Sequence, residues 1–481
     1  MKIIHCADIH LDSRMRAGLT ETKARQRRAE MMRTFEKMVE FAEMQKVRAV
    51  LISGDLFDTE NVSKMASDVV YNAVKSHPDI LFFLLGGNHD RIRDPKSDSF
   101  KGQNKLKSFA AFLASYDRIP ANLIIFSDEW ESYEIPHLNS PECDEDDAYD
   151  RTAQSLPECD EDDAYDRTAQ SLPECDEDDA YDRTTQDAAE FGVRGNAARS
   201  AYGRFKIKIF GKCIDGRGIT DKRDVESLNP DIADLNIVML HGLASEYSPN
   251  SAAAADVASP GSRKSADIIG TDNRSSASNA ANDIIDLRLL RHKSIDYLAL
   301  GHLHSYRLED LDDRGVLCYP GCLEARGFDE CGEHGFVMLS IDEKTGDFTT
   351  EFINSGGREI YSIDVDVTSI ETMSEMCEEI RFYAAKAGCS GDSIVRAVLT
   401  GSPAEDDTHR AENLKLMLEQ DFFNIDIVDK TSPATDYYKL YEEKSLRGEF
   451  VRTAASQTDL SDDEKFEIIK FGISILSGED I

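Results

Sequence analysis

The sequence lacks an uninterrupted apolar run of about 18 residues, so we expect no membrane-spanning helix. Its opening residues read as a strand that leads into a charged residue, which is not the pattern of a signal peptide. The ten cysteines include no Cys-x-x-Cys pair, and three of them lie in copies of one repeat. These absences argue against a zinc ribbon and a disulfide framework, and we therefore expect a cytoplasmic protein.

Basic residues are outnumbered by acidic ones, 55 to 92, so the 481 residues carry a net charge of −37 at pH 7. This balance argues against nucleic acid as a ligand. Residues 141–188 contribute −16 of the charge, since they hold 19 acidic residues and three arginines. Basic stretches occur at residues 14–33, 91–107 and 191–212, so the net charge alone leaves the binding of a polyanion open.

The first 135 residues alternate between strand-like and helix-like segments. Predicted strands span residues 2–7, 47–53 and 80–85, and predicted helices span about 20–46 and 61–77. This alternation predicts an α/β fold with a covered parallel sheet. Further strands are predicted at 205–210, 235–240, 295–300, 316–319 and 335–341.

Two segments interrupt this pattern. Residues 141–188 repeat a 16-residue acidic unit three times, within a low-complexity insertion at 138–202. Each unit has too few apolar residues to bury a core, so we expect a disordered loop, with a partner-binding role as the alternative. A second insertion, rich in Ala, Ser, Asn and Asp, is predicted at 244–285.

The last third of the chain changes character. Residues 359–430 predict a small α/β domain, and residues 431–481 predict a helical tail. The tail ends in an amphipathic helix that starts at Ser461, where Ser461 and Glu464 have the spacing of a capping box. This helix could pack on its own domain or dock on a partner.

Five clusters of carboxylate, amide and imidazole groups follow predicted strands. They are Asp8-Ile9-His10, Gly54-Asp55-Leu56-Phe57-Asp58, Gly87-Asn88-His89-Asp90, His241-Gly242 and Gly301-His302-Leu303-His304. Such donors without thiolate favour manganese, iron or zinc over copper or an iron–sulfur cluster. Asp8 and His10 point to one side of an extended stretch, and the two oxygens of Asp55 can bridge. Two ions about 3.5–4 Å apart can share a hydroxide, the nucleophile that phosphate-ester hydrolysis needs.

In this order, the motifs DxH, GDxxD, GNHD, HG and GHxH resemble those of the calcineurin-like metallophosphoesterases. Residues 5–13, Tyr319-Pro320-Gly321 and Phe328-Asp329-Glu330 are more narrowly similar to the SbcD-type nuclease subunits of bacterial SbcCD DNA-repair complexes, a family of double-strand-break repair exonucleases. The resemblance implies a metallophosphoesterase β-sandwich flanked by helices in α/β/β/α layers over residues 1–358. It further implies a capping domain at 359–430 and a partner-docking tail at 431–481.

The resemblance also implies roles for individual residues. The first metal ion would be bound by Asp8, His10, Asp55 and His304, and the second by Asp55, Asn88, His241 and His302. His89 would face the scissile phosphate and assist the leaving oxygen as electrophile or proton donor. Asp58 would hold and orient the motif histidine, and Asp90 would be a structural turn residue.

The leading hypothesis is therefore a DNA exonuclease and endonuclease that hydrolyses phosphodiester bonds with a hydroxide activated by two metal ions, with Mn²⁺ as the expected ion. By resemblance it acts 3′ to 5′ on duplex ends and on single strands, with an SbcC-type coiled-coil ATPase and a second copy of the chain as partners and no membrane. One alternative is a phosphomonoesterase or small-substrate phosphodiesterase on the same dinuclear site, which would need no cap. Another is a non-hydrolytic scaffold, against which the complete donor set argues.

Overall fold

The computed structural model describes residues 1–15, 17–58, 62–90, 119–136, 205–214, 219, 222–247, 283–403, 409–432, 437–458 and 460–477. The chain divides into two compact units, Met1–Arg358 and Glu359–Ile481. The acidic repeat at 141–188 and most of the predicted insertion at 244–285 lie outside the described residues. None of the helices in the described ranges combines the length and the apolar character that crossing a bilayer requires.

The strands of the first unit mostly begin and end within two residues of the predicted ones. They are β1 (Lys2–Cys6), β2 (Ala49–Ile52), β3 (Leu81–Leu84), β4 (Leu123–Ile125), β5 (Glu131–Ile135), β6 (Ile207–Gly211), β7 (Leu235–His241), β8 (Leu243–Ala244), β9 (Ile284–Ile285), β10 (Tyr297–Gly301), β11 (Arg307–Asp310), β12 (Val316–Tyr319), β13 (Gly335–Ile341) and β14 (Phe348–Asn354). Its helices are α1 (Glu21–Met44), α2 (Lys64–Ser76), α3 (Lys222–Glu226) and α4 (Leu287–Leu290), with a 3₁₀ turn at Ser245–Tyr247. The described ends of the 244–285 segment are thus paired strands, β8 and β9, rather than part of an insertion.

These strands form two six-stranded sheets, with the orders β14-β13-β1-β2-β3-β4 and β11-β12-β10-β7-β6-β5. One apolar core lies between them and includes Ile3 and Leu51 from the first sheet and Ile237 and Tyr297 from the second. α1 and α2 cover the outer face of the first sheet, whereas α3 and α4 cover that of the second. The predicted α/β class, with helices outside two packed sheets, is confirmed.

Helix α1 shows how local sequence produces this packing. Thr20 begins the helix, and its side chain accepts a hydrogen bond from Lys23 N at 3.4 Å. The predicted stripe at i, i+4, i+7 and i+11, Met31, Phe35, Met38 and Ala42, is buried, and the last three residues pack against the first sheet. Burial of this stripe, rather than helix propensity alone, stabilises the helix.

The second unit has its own small core. Its three parallel strands are β15 (Ile360–Asp366), β16 (Ile394–Thr400) and β17 (Asn424–Asp429), which alternate with α5 (Met373–Lys386) and α6 (Arg410–Leu418). A capping box between Thr372 and Glu375 begins α5. The description of this unit as a cap over an active site stays a prediction.

Three helices end the described chain, α7 (Tyr437–Glu442), α8 (Leu446–Ala455) and α9 (Asp462–Ser477). Ser461 and Glu464 make the reciprocal hydrogen bonds that their spacing predicted for the start of α9. Ile469 and Ile473 pack in a cluster with residues of α8, whereas Phe466 and Phe471 are half exposed. The apolar residues of α9 therefore do not all share one buried face.

Candidate metal centre

The predicted site residues lie at the carboxyl ends of five parallel strands. Asp8 and His10 follow β1, Asp55 follows β2, and the Gly87–Asp90 turn follows β3. In the second sheet, His241 ends β7, and His302 and His304 follow β10. Parallel strands end at the same edge of each sheet, and because the two sheets pack on each other, residues up to 294 positions apart in sequence come into contact there.

The backbone of this edge is held in an unusual conformation. Asp8, His10 and Asp55 have φ angles of 50°, 49° and 48°, and His302 has a φ of 111°. Each such residue costs on the order of 1–3 kcal/mol and persists only where its surroundings enforce it. Here backbone hydrogen bonds join the loop after β1 to the loop after β2. Asp8 N donates to Gly54 O at 3.1 Å, and His10 N donates to Asp55 O at 3.0 Å.

The four side chains expected to bind the first ion converge. His10 Nε2 lies 3.3 Å from His304 Nε2 and 3.8 Å from Asp55 Oδ2. His304 Nε2 lies 3.8 Å from Asp8 Oδ1. Asp8, His10 and His304 thus face one small volume at the ends of β1 and β10, and Asp55 borders it through the contact with His10.

The second predicted set also converges, and it shares Asp55. His241 Nε2 lies 2.9 Å from Asn88 Oδ1 and 3.4 Å from Asp55 Oδ2, and His302 Nδ1 lies 3.4 Å from Asn88 Oδ1. Asp55 Oδ2 is thus near one histidine of each set, which is the position that a bridging carboxylate needs.

The acceptors behind three of the histidines, two of them in hydrogen bonds, show that the site fits cations. Their outer ring nitrogens face acceptors: His10 Nδ1 lies 3.3 Å from Asp58 Oδ1, His241 Nδ1 lies 2.9 Å from Ser53 O, and His304 Nδ1 lies 2.7 Å from Glu330 Oε1. Carboxylates and carbonyls only accept, so Nδ1 of His241 and of His304 carries a hydrogen, and in the neutral form of each ring the lone pair of Nε2 points inward. Inward lone pairs next to carboxylate oxygens repel one another unless positive charge lies between them, and divalent ions suit this donor set.

The pKa values point in the same direction. Burial raises the pKa of Asp8 to about 6, and the charge of Asp55 contributes to the rise. Burial lowers the pKa of His241, yet the charges of Asp55 and Asp8 raise it to about 10. Asp55 and Asp8 thus favour a positive charge beside them. Burial lowers the pKa values of His10 and His302 to about 3, which keeps both rings neutral and able to donate a lone pair.

His89 lies beside the two sets rather than within them. Its main-chain N donates to Asp55 Oδ1 at 2.9 Å, and its Nδ1 donates to the carbonyl of Asp58 at 3.1 Å. These bonds fix the ring, so Nε2 is the atom that remains for a substrate. The carboxylate of Asp58 instead lies between His10 and Arg326. Asp58 thus contacts His89 through its backbone and not through the side chain that the sequence argument emphasised.

Asp90 fastens the GNHD turn to the neighbouring loop. Its carboxylate accepts from Gly87 N at 2.8 Å and from Phe57 N at 3.1 Å. Burial raises the pKa of Asp90 to about 7, and the charge of Asp55 adds to that effect. The side chain serves the backbone of two site loops, as expected for a structural turn residue.

Two charged residues of the site had no role in the sequence argument. Arg326 and Glu330 are buried in the loop between β12 and β13 and contact the predicted ligands or their neighbours. The sequence held one signal, the similarity of the Phe328-Asp329-Glu330 stretch to repair nucleases, but that similarity gave neither residue a role.

Comparison with known proteins agrees with this geometry. Residues 1–160 match the calcineurin-like phosphoesterase family. The matched segment contains Asp8, His10, Asp55, Asn88 and His89, whereas the three histidines contributed by the second sheet lie beyond it. The match supports a phosphoesterase domain that binds divalent metal ions, and it does not distinguish an SbcD-type nuclease from other phosphoesterases.

Individual relatives are more distant. The uncharacterized metallophosphoesterase YhaO of Bacillus subtilis strain 168 is 30% identical over 112 residues, which is 23% of this chain and 27% of YhaO. The alignment thus spans about a quarter of that relative.

Among solved structures, TT1561 of Thermus thermophilus covers 74% of this chain and 98% of its own, at 7% identity and a TM-score of 0.32. A dimetal phosphatase from Danio rerio covers 73% and 99%, at 11% identity and the same TM-score. Likeness at this level carries no argument about function.

Proposed function

We propose that the chain is a metal-dependent phosphoesterase that hydrolyses phosphodiester bonds in DNA. The hydrolytic part is carried by one observation, the placement of His89 at the border of two donor sets that share Asp55. Two divalent ions, when bound, would supply an activated water and offset the charge of the phosphate oxygens. The donors, carboxylate, amide and imidazole without thiolate, suit manganese, iron or zinc, and we propose Mn²⁺ among them from the resemblance to SbcD-type nucleases.

The residues of the chain have separate tasks in this proposal. The seven side chains of the two sets would hold the ions, and the tautomers of His241 and His304 are fixed by acceptors behind the rings. His89 is held at its main chain and at Nδ1, so a protonated Nε2 can donate to the phosphate or to the leaving oxygen. The carbonyl of Asp58 holds the ring in this orientation by accepting from Nδ1–H.

DNA as the substrate is supported by the resemblance of residues 5–13, 319–321 and 328–330 to SbcD-type nucleases. A second compact unit after residue 358 also supports it, since a phosphatase for small substrates needs no such addition. The same resemblance leads us to propose 3′ to 5′ polarity, a homodimer, and an SbcC-type coiled-coil ATPase as the partner of the tail.

A second candidate, a phosphomonoesterase or small-substrate phosphodiesterase, is favoured by the charge of the chain. A net charge of −37 repels a polyanion over the Debye length, about 8 Å at physiological ionic strength, and repels a small ester less. The two candidates differ in substrate and share the metal centre.

The test uses the full chain with Mn²⁺ and three substrates: end-labelled duplex DNA, a small aryl phosphodiester and an aryl phosphomonoester. His89→Ala should lower turnover of the preferred substrate by about 10²–10⁴-fold while both ions stay bound. The matched control is His292→Ala, because the His292 side chain is 77% exposed and lies outside the metal centre.

DNA cleavage that requires Mn²⁺ and His89 would support the proposal. Rapid cleavage of a small ester with intact DNA, with or without an SbcC-type ATPase, would replace it by the second candidate. Full activity of His89→Ala would remove that residue from the chemistry.

A further inference from the structure

We propose that Arg326 and Glu330 are positioning residues that orient the two histidines of the first metal set. The inference deepens the proposed function, since it concerns the same site, and it rests on that function only for the presence of metal ions. It assigns a task to two buried charges that the phosphoester chemistry does not otherwise use.

Glu330 acts on His304. Its Oε1 lies 2.7 Å from His304 Nδ1, and the carboxylate can only accept, so Nδ1 carries the hydrogen. Arg326 Nη2 is also near that nitrogen, at 3.2 Å, but the shorter contact with a pure acceptor decides the tautomer. The lone pair of His304 Nε2 is thereby turned toward Asp8 and His10.

Arg326 joins this contact to the equivalent one behind His10. Its Nη2 donates to Glu330 Oε1 at 2.7 Å, and its Nη1 donates to Asp58 Oδ1 at 2.9 Å. Asp58 Oδ1 in turn lies 3.3 Å from His10 Nδ1. One guanidinium therefore links the two carboxylates that each face the outer nitrogen of a histidine in the first set, with a planar geometry that a lysine lacks.

Hydrogen bonds within the loop hold Arg326 and Glu330 in place. Arg326 N donates to Glu330 Oε2 at 2.7 Å, and Glu330 N donates to Gly327 O at 3.1 Å. His334 Nε2 donates to Glu330 O at 2.8 Å. Side chains held in this way are in place before an ion arrives, which reduces the ordering that binding requires.

The hydrogen bonds of Arg326 and Glu330 support histidines of the first metal set and not His241 of the second. In the second set, His241 Nδ1 is held by the backbone carbonyl of Ser53 rather than by the arginine and its partner. Disrupting the pair should therefore weaken one ion more than the other. A loss of overall stability would have no such preference.

The experiment compares Glu330→Gln with the wild type by Mn²⁺ titration calorimetry and by electron paramagnetic resonance. Glutamine keeps the size and an acceptor, but it cannot pair with the guanidinium as a carboxylate does. We expect one dissociation constant to rise by about 10–100-fold and the other to stay unchanged, because lost partners of metal-binding histidines have effects of that size. At intermediate Mn²⁺ the signal of a coupled pair should give way to that of an isolated ion.

The matched control is Glu324→Gln. Glu324 is also buried in the loop between β12 and β13 and also pairs with an arginine, Arg27, but it contacts Thr34 of α1 rather than a predicted ligand. The Glu324→Gln substitution should lower the melting temperature and leave the affinity for each Mn²⁺ ion unchanged. An equal loss of Mn²⁺ affinity in both variants, or none in Glu330→Gln, would overturn the proposal.

Arg326→Lys is the second variant, for the case that Glu330→Gln does not fold. It keeps the charge but cannot contact Asp58 and Glu330 with two arms, so the same ion should be weakened selectively. Unchanged affinity of a folded Arg326→Lys would overturn the role of the arginine. A wild type that binds two ions yet leaves DNA intact would contradict the proposed substrate alone.

Discussion

Gly87→Ala tests whether the close approach of the GNHD turn to Asp55 is needed for the site. A Cβ atom at position 87 would lie 2.0 Å from Asp55 Oδ1 and 2.5 Å from Asp55 N, where ordinary contacts begin at 3.4 Å. The turn that carries Asn88 and His89 must therefore move by about 1.4 Å, or Asp55 must leave its position. Either movement breaks the hydrogen bond from His89 N to Asp55 Oδ1.

The size of the effect follows from this displacement. A misplacement of about 1 Å can cost about 10²-fold in rate, and overpacking costs about 1–3 kcal/mol in stability. We thus expect Gly87→Ala to fold, to lose about 10²-fold in kcat/KM on the preferred phosphoester, and to bind Mn²⁺ more weakly.

The assay measures kcat/KM at several Mn²⁺ concentrations together with the melting temperature. Gly391→Ala is the control, since its added Cβ would lie 3.8 Å from Asp421 O, an ordinary contact. Wild-type turnover and wild-type ion affinity in Gly87→Ala would refute the steric reasoning.

Three further predictions address the bridge, the pH dependence and the core. Asp55→Asn should lower the number of Mn²⁺ ions retained per chain after gel filtration more than His304→Asn does, because Asp55 faces both sets; two retained ions would contradict the bridge. Burial raises the pKa of Glu30, but hydrogen bonds from Arg358 and Arg27 lower it to about 2. Because this value lies below that of the unfolded chain, the contribution is present above about pH 4.5 and is lost as the pH falls toward 2. Glu30→Gln should therefore remove about 1 kcal/mol of stability at pH 7. In denaturant unfolding between pH 4.5 and 2, the free energy of unfolding should depend less on pH in this variant than in the wild type. An unchanged pH dependence would contradict the ion-pair account. Phe35→Ala should cost about 3–5 kcal/mol in urea unfolding because the ring is fully buried, whereas the exposed neighbour Glu36→Ala should change little; equal costs would contradict the packing of α1.

The strands that the sequence predicted are those in the middle of the sheets. β2 is buried at every residue, because both faces of its sheet are covered, and such strands read as continuous apolar runs. The members of the six-stranded sheets that the sequence did not predict are β4, β5, β11 and β14, and they are the four edge strands. Residues of an edge strand such as Glu131–Ile135 are only partly buried, which weakens the hydrophobic pattern.

The candidate site was also predictable in part. Each expected ligand carries suitable chemistry and closely follows or ends a strand, so its position can be inferred from local sequence. Arg326 could not be found in this way, because its partner Asp58 is 268 positions away and the contact exists only after both sheets have formed. The carbonyl of Ser53 behind His241 was equally hidden, since backbone acceptors leave no trace in residue types.

The donors come from both sheets, so bound ions would connect the sheets as well as take part in hydrolysis. The loops after β1, β2 and β3 hold Asp8, His10, Asp55 and Asn88 together with His89, while β7 and the loop after β10 hold the remaining histidines. Ions bound there would link the two sheets at one end of the sandwich. At a free-ion concentration of about 100 times the dissociation constant, each site would add about 2.7 kcal/mol to the free energy of unfolding. Because the donors come from both sheets, binding of both ions requires the two sheets to be packed on each other. A chain that binds both ions has completed its sandwich.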